Sequence, residues 1–277
     1  MNLKLITITL TAFLLCNCAS KKIKDISYKS KTERTLNSNL NLNVFEPNRT
    51  KTDKNPVVIF VHGGYWTEGH KDIYGFLGRN FAKNDVVTVI PNYTLSPKGS
   101  YDTMAKDIVD AIQWTQTNID QYKGDPEQIY LMGHSAGGHL IALVSTNPKY
   151  LNDKSLIKGV ILNDAAGLDM KSYLEKNPPT TEYNYITTWT KDSKNWKDAS
   201  PIYFLDEAAP PFLIYVGEKT YPSIITQNDA FIEELKEFQP SVEAIRLDKK
   251  HVPMMSHYFF PWVNRYDEIL AFIKKTK

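Results

Sequence analysis

Beyond its first eighteen residues the chain has no cysteine; its two, Cys16 and Cys18, stand near the start. A disulfide across one intervening residue would be strained, and Cys-x-Cys alone is a weak metal site. Charge of one sign is also lacking. The 33 basic and 31 acidic side chains leave a net charge of +2, and the lysines form no long run. No field is available to gather nucleic acid or an acidic polymer, so no nucleic-acid partner is expected. There is no H-E-x-x-H, no dinucleotide fingerprint at the first strand, no internal repeat and no low-complexity tract. No metal and no cofactor are therefore expected. The apolar run from Leu5 to Leu15 is too short to span a bilayer comfortably.

What is present suits one large folded domain: 277 residues, 42% hydrophobic and 23% charged. The first segment stands apart from it. Lys4 followed by Leu5 to Leu15 has the order of a signal peptide. The cysteines at its end give it the look of a bacterial lipoprotein signal, with Cys18 favoured over Cys16 because Leu15 lies three residues before it and small residues follow. Residues 1–18 are read as this signal, 19–35 as a polar, lysine-rich tether, and 36–277 as the domain. The expected location is the bacterial cell envelope, through a lipid anchor in the membrane, or outside the cell if the signal is an ordinary secretory one.

Within the domain, Leu40, Leu42 and Val44 alternate with asparagines, as in a half-buried antiparallel strand. Val57 to Val61 is a continuous β-branched and aromatic run, typical of a strand buried on both faces. Further strands are expected at 86–90, 128–132, 159–162, 211–216 and 242–247. Helices are expected at 74–84, 101–119, 137–145, 223–238 and 263–275, with an aperiodic insertion at 170–200. Alternating strands and helices argue a mostly parallel sheet covered by helices on both faces. The chemistry of such a sheet lies at the carboxyl ends of its strands.

Two segments sit there. Ile129 to Gly138 reads strand, turn, helix, with Gly133-His134-Ser135-Ala136-Gly137 at the turn. A serine on so tight a turn projects its hydroxyl above the sheet, and the flanking glycines let strand and helix approach. Strand 57–61 ends in His62-Gly63-Gly64-Tyr65-Trp66, which resembles the H-G-G motif of esterases and lipases. Gly63 and Gly64, with the N–H of Ala136, are the candidate oxyanion donors. Together with Asn92-Tyr93-Thr94-Leu95-Ser96-Pro97 and the continuation to Gly138, these segments resemble the α/β-hydrolases grouped with kynurenine formamidases and hormone-sensitive-lipase-like esterases. That resemblance covers nearly all of the chain after the signal. It implies an α/β-hydrolase fold and hydrolysis of small esters or N-formyl amides, without cofactor or metal, through an acyl-enzyme on Ser135.

In this fold the acid and then the base follow the serine. His251, after the last expected strand, is the candidate base, with His257 the alternative; His134 and His139 flank the nucleophile, and His70 belongs to a loop. Where the resemblance implies Gly-x-x-Asp after strand 211–216, the chain has Gly217-Glu218-Lys219-Thr220. Asp164, after the preceding strand, and Glu218 are the candidate acids; Asp229 falls on a helix surface. Tyr65, Trp66 and Tyr93, with Tyr185 and Trp189 of the insertion, are the expected substrate-binding wall. The missing Asp at position 220 leaves a second reading open: a catalytically weak member of the fold that binds a ligand or partner at the envelope.

Overall fold

A computed structural model describes residues 20–30, 39–50, 52, 54–151 and 153–276. The signal segment and its cysteines lie outside these residues. Among the described residues no helix is long and apolar enough to cross a membrane.

Eight strands form one sheet: β1 (Ser20–Ser27), β2 (Asn41–Pro47), β3 (Asn55–Val61), β4 (Val87–Pro91), β5 (Gly124–His134), β6 (Ile157–Asn163), β7 (Phe212–Gly217) and β8 (Ala244–Leu247). Their order is β1-β2-β4-β3-β5-β6-β7-β8. The pairs β1–β2 and β2–β4 are antiparallel and all others parallel. In β3, Val57, Ile59 and Val61 face one core cluster, while Val58 and Phe60 face the other; all five are fully buried. The first cluster is closed by α2 (Tyr101–Asn118), α3 (Ala136–Thr146) and α7 (Pro222–Leu235). The second is closed by α1 (Gly75–Ala82), α8 (His251–Ser256) and α9 (Asn264–Lys275). A strand with apolar side chains on both faces belongs at the centre of such a three-layer arrangement.

The segment read as a tether is in part a strand. β1 pairs with β2 from Ser20↔Pro47 to Ser27↔Asn41, with a register shift between Ile23 and Ile26. The lysines at 21, 22 and 24 mask its apolar periodicity, yet an outer strand tolerates lysine and gains protection from unwanted pairing by it. Ile23 and Ile26 pack against the core, Tyr28 is buried, and its hydroxyl donates to the Asn92 carbonyl at 2.6 Å. Lys71, buried to 1% exposure, donates to Asp25 at 2.6 Å. A buried ammonium left without that partner would be costly.

The insertion is also more ordered than its lack of period suggests. It contains α4 (Met170–Lys176), α5 (Tyr185–Trp189) and α6 (Lys194–Asp198). Each is too short to show helical periodicity. The Asp169 carboxylate caps α4 by accepting from the Ser172 N–H at 3.0 Å. Trp189 and Trp196 are buried and pin the insertion to the sheet's first face.

Candidate active site

β5 ends at His134 and α3 starts at Ala136, so Ser135 is the whole connection. Its backbone sits at φ 54°, ψ −122°, a conformation that costs a non-glycine residue about 1–3 kcal/mol. The turn is possible because residue 137 has no side chain: a Cβ there would stand 2.1 Å from the Val61 carbonyl oxygen. Ser135 is half-buried and opens to cavities on two sides.

His251 is the first residue of α8, in the connection after β8. Its Nε2 lies 2.9 Å from Ser135 Oγ, and its Nδ1 lies 2.5 Å from Asp164 Oδ2. Asp164 follows β6 directly, at φ 53°, and is wholly buried. Its Oδ1 accepts the Gly217 N–H at 2.9 Å, and its Oδ2 accepts the Thr220 hydroxyl at 2.5 Å as well as the imidazole. Both carboxylate oxygens are therefore paired, as a buried anion requires. The structure thus brings Ser135, His251 and Asp164 into one chain of hydrogen bonds. Glu218 is exposed and engages the structure through its backbone N–H, which donates to Leu247 O at 2.8 Å. Asp229 pairs with Arg246 on the surface. His257 lies beyond α8, in the short helix His257–Phe259.

Three other histidines surround this chain as uncharged groups. Burial holds His62 down at about 4, His139 at about 4 and His134 at about 3; electrostatic repulsion between His134 and the adjacent His251 ring is a further cause for His134. His139 accepts the Trp66 indole N–H on Nδ1 at 3.2 Å and donates from Nε2 to Ala199 O at 2.8 Å, which assigns its tautomer. His134 stacks on His251, ring centroids 4.7 Å apart. Unfolded histidine titrates near 6.5. As pH falls from about 6.5 towards 4 the unfolded chain takes up protons that the native state refuses. The stability these groups confer is full above about pH 6.5 and declines below it, by about 1.4 kcal/mol per pH unit for each histidine. Thermal melts should therefore show a Tm that drops steeply between pH 6.5 and 4.5. A Tm constant across that range would mean that these rings are not held neutral.

The loop after β3 curls tightly. Gly64, Tyr65 and Trp66 all have positive φ, and the N–H groups of Thr67 and Glu68 both bond Gly64 O. At Gly64, with φ 128°, a Cβ would stand 2.3 Å from Glu68 O. Gly63 abuts Ser135: a Cβ on it would be 2.9 Å from Ser135 Cβ. Gly63 and Gly64 line a cavity together with Ser135, and Ala136 opens the helix behind it. His62 braces this loop from beneath, its ring stacked on Tyr74 and Tyr93 and its Nδ1 2.9 Å from Gly63 O.

Tyr93, expected in the substrate wall, belongs to that brace. It is buried, and its hydroxyl donates to His62 O at 2.9 Å. A tyrosine with an apolar body and a polar tip serves a wall or a core equally well by composition, and here the tip finds a backbone partner inside. Trp189 is likewise core, edge-on to Trp66. Tyr65, Trp66 and Tyr185 do line the site, in a cavity of about 150 Å³ with Ser135, His251, Met170, Tyr173 and Tyr221. A larger cavity of about 360 Å³ opens on the other side of Ser135, walled by Ile73, Phe76, Val252, Met255 and Phe259. Tyr65 borders both, and its hydroxyl meets that of Tyr221 at 2.9 Å. Tyr221, Met170 and the Thr220 hydroxyl also belong to the site, and no sequence motif marks them. Among the described residues no group of three or more His, Cys, Asp or Glu side chains could hold a metal ion.

A mostly parallel sheet with a serine on the β5–α3 turn, an H-G-G loop after β3, and a histidine–carboxylate pair after β8 and β6 defines the α/β-hydrolase class. The profile of the BD-FAE family matches residues 42–235, well over half of the chain, and the chain belongs to that family. It is 28% identical over 209 residues to Esterase LipC of Mycobacterium tuberculosis, covering 70% of this chain and 52% of that one. With Esterase LipQ of the same organism it shares 32% over 197 residues, 66% of this chain and 46% of that one. The chain thus spans about half the length of these curated relatives. Among solved structures it superposes on esterase B of Lactobacillus Rhamnosis with a TM-score of 0.73 at 17% identity, covering 93% of this chain and 86% of that one. A Pyrobaculum calidifontis esterase gives 0.69 at 21%, covering 92% and 83%. These two likenesses speak to the fold.

Proposed function

We propose that this chain is a serine hydrolase of small carboxylic esters, with N-formyl amides within the same chemistry. The observation that carries the reading is the unbroken sequence of hydrogen bonds from Ser135 Oγ through His251 to a buried, fully paired Asp164. His251 Nε2 takes the proton from Ser135 as Oγ attacks the carbonyl carbon. Asp164 holds Nδ1 protonated and stabilises the imidazolium. The N–H groups of Gly63, Gly64 and Ala136 receive the developing oxyanion. His251 then protonates the departing alcohol or amine. Water, deprotonated by the same nitrogen, releases the acid from the acyl-enzyme.

The two cavities flank Ser135 as the two arms of an ester would. The smaller, lined by tyrosines, suits a short acyl or an aryl group, and the larger a bulkier apolar arm. The test is turnover of short- and long-chain p-nitrophenyl esters and N-formylkynurenine by protein lacking the first 18 residues. Silence on every substrate sinks the proposal. The alternative, a binding protein of this fold, drew on the absence of an acid at position 220. Asp164 reaches His251 Nδ1 from β6 instead, and a binder has no use for that arrangement.

Attachment to the envelope through Cys18 is a further part of the proposal, supported by the order of the first eighteen residues. Fatty-acid labelling of the full chain should persist in Cys16→Ala and vanish in Cys18→Ala. The reverse pattern would move the site to Cys16, and no labelling of the wild type would leave an ordinary secretory signal.

A further inference from the structure

Thr220 stands where the resemblance implies an aspartate, and the structure gives it work there. Its Oγ1 lies 2.5 Å from Asp164 Oδ2 and 3.3 Å from His251 Nδ1. A hydroxyl has one proton and two acceptor positions. The short contact to a carboxylate claims the proton, so the oxygen faces the imidazole Nδ1–H as a second acceptor. Nδ1–H is thereby held between the carboxylate and the hydroxyl.

The surrounding backbone fixes both partners at once. The Gly217 N–H donates to Asp164 Oδ1 at 2.9 Å, and the Thr220 N–H closes the turn back to Gly217 O at 3.4 Å. Between them, the N–H groups of Glu218 and Lys219 bond Leu247 O and Lys249 O at 2.8 and 3.0 Å, tying the turn to the segment that delivers His251. The turn 217–220 therefore wraps the carboxylate with one backbone and one side-chain donor, while its own position is locked to the base.

We propose that Thr220 is the positioning residue of the triad: its hydroxyl fixes the Asp164 carboxylate on His251 Nδ1, from a second seat that a carboxylate could itself occupy. An aspartate at 220 cannot leave its Cγ at the present Oγ1 position, 2.5 Å from the Asp164 oxygen; rotated about χ1 so that Cγ clears that atom, it would carry a carboxylate oxygen to within reach of Nδ1. In that arrangement an amide at 164 could donate to the new carboxylate while accepting the Gly217 N–H, so the two positions would exchange roles with every polar group satisfied. The acid after β6 and the hydroxyl after β7 are then one unit. This inference rests on the hydrolase reading above.

Two sets of variants test it on the protein lacking its first 18 residues, assayed with the best p-nitrophenyl ester, with thermal melts to show folding. Thr220→Val should lower kcat by about 10- to 100-fold, the scale of one hydrogen bond to a charged group, with KM within about two-fold. Thr220→Ser should restore kcat to within about two-fold of wild type, since it keeps the hydroxyl. Asp164→Asn should lose about 10⁴-fold, and Asp164→Asn/Thr220→Asp should regain at least about 100-fold of that loss. A wild-type kcat in Thr220→Val overturns the proposal. So does Thr220→Ser no better than Thr220→Val, or a double variant no better than Asp164→Asn alone. A silent wild type is a different failure: it removes the hydrolase reading itself, before any variant is compared.

Discussion

Ser135→Ala is expected to lower kcat on any accepted ester by about 10⁵- to 10⁶-fold while leaving the fold intact. The size follows from how the site is built. Ser135 Oγ is the atom that His251 Nε2 is set to deprotonate, at 2.9 Å, and no other hydroxyl is hydrogen-bonded to that nitrogen among the described residues. Without it, water must attack unaided in a site shaped for a covalent step. What remains over the uncatalysed reaction would come from the oxyanion donors and from substrate held between the two cavities, about 10³- to 10⁴-fold in a comparable triad. The variant should still melt near the wild-type temperature. Ser135 is only half-buried, and the strain at φ 54° belongs to the backbone of the turn, which an alanine inherits. An unchanged rate in Ser135→Ala would assign the chemistry elsewhere.

Asp164→Asn carries the second large effect, about 10⁴-fold in kcat, against no more than about two-fold for Glu218→Gln. The carboxylate accepts from three donors: the Gly217 N–H, the Thr220 hydroxyl and His251 Nδ1. An amide offers one acceptor oxygen and a pair of N–H groups. If it turns its nitrogen to the imidazole, Nδ1 must become the acceptor, and the ring proton moves to Nε2, where it blocks acceptance of the serine proton. The imidazolium formed during the reaction also loses its counter-charge. Glu218, by contrast, is exposed and takes no part in this network. Equal losses in the two variants would contradict the geometry, and a larger loss in Glu218→Gln would reverse the assignment.

The parts of this fold and site most open to sequence reading are those in which one residue type satisfies one steep local demand. The run from Val57 to Val61 has little choice but the centre of a parallel sheet. Small residues at 133 and 137 around a serine mark a turn that larger side chains would close. The acid was less legible. Asp164 and Glu218 both follow strands, and choosing between them depends on a left-handed backbone at 164 and on the separation of β6 from β8, which are tertiary facts. Thr220 reads as a loss in sequence because a motif records identity, whereas the site requires a donor at that point. Tyr93 and Trp189 show the same ambiguity in aromatic side chains, which suit a pocket and a core alike; the tertiary structure decides, with the Tyr93 hydroxyl donating to His62 O and Trp189 fully buried. β1 was hidden by its lysines, whose apolar stems and exposed ends suit the outermost strand of a sheet as well as a tether.

The proposed chemistry requires Ser135 to be an activated nucleophile. The most direct measurement is intact-protein and peptide mass spectrometry after exposure to a fluorophosphonate. One phosphonyl group per chain is expected, on the peptide containing Ser135, with none on Ser135→Ala and slow labelling of Asp164→Asn. A wild-type protein that stays unlabelled, or that carries the label on another residue, would contradict it.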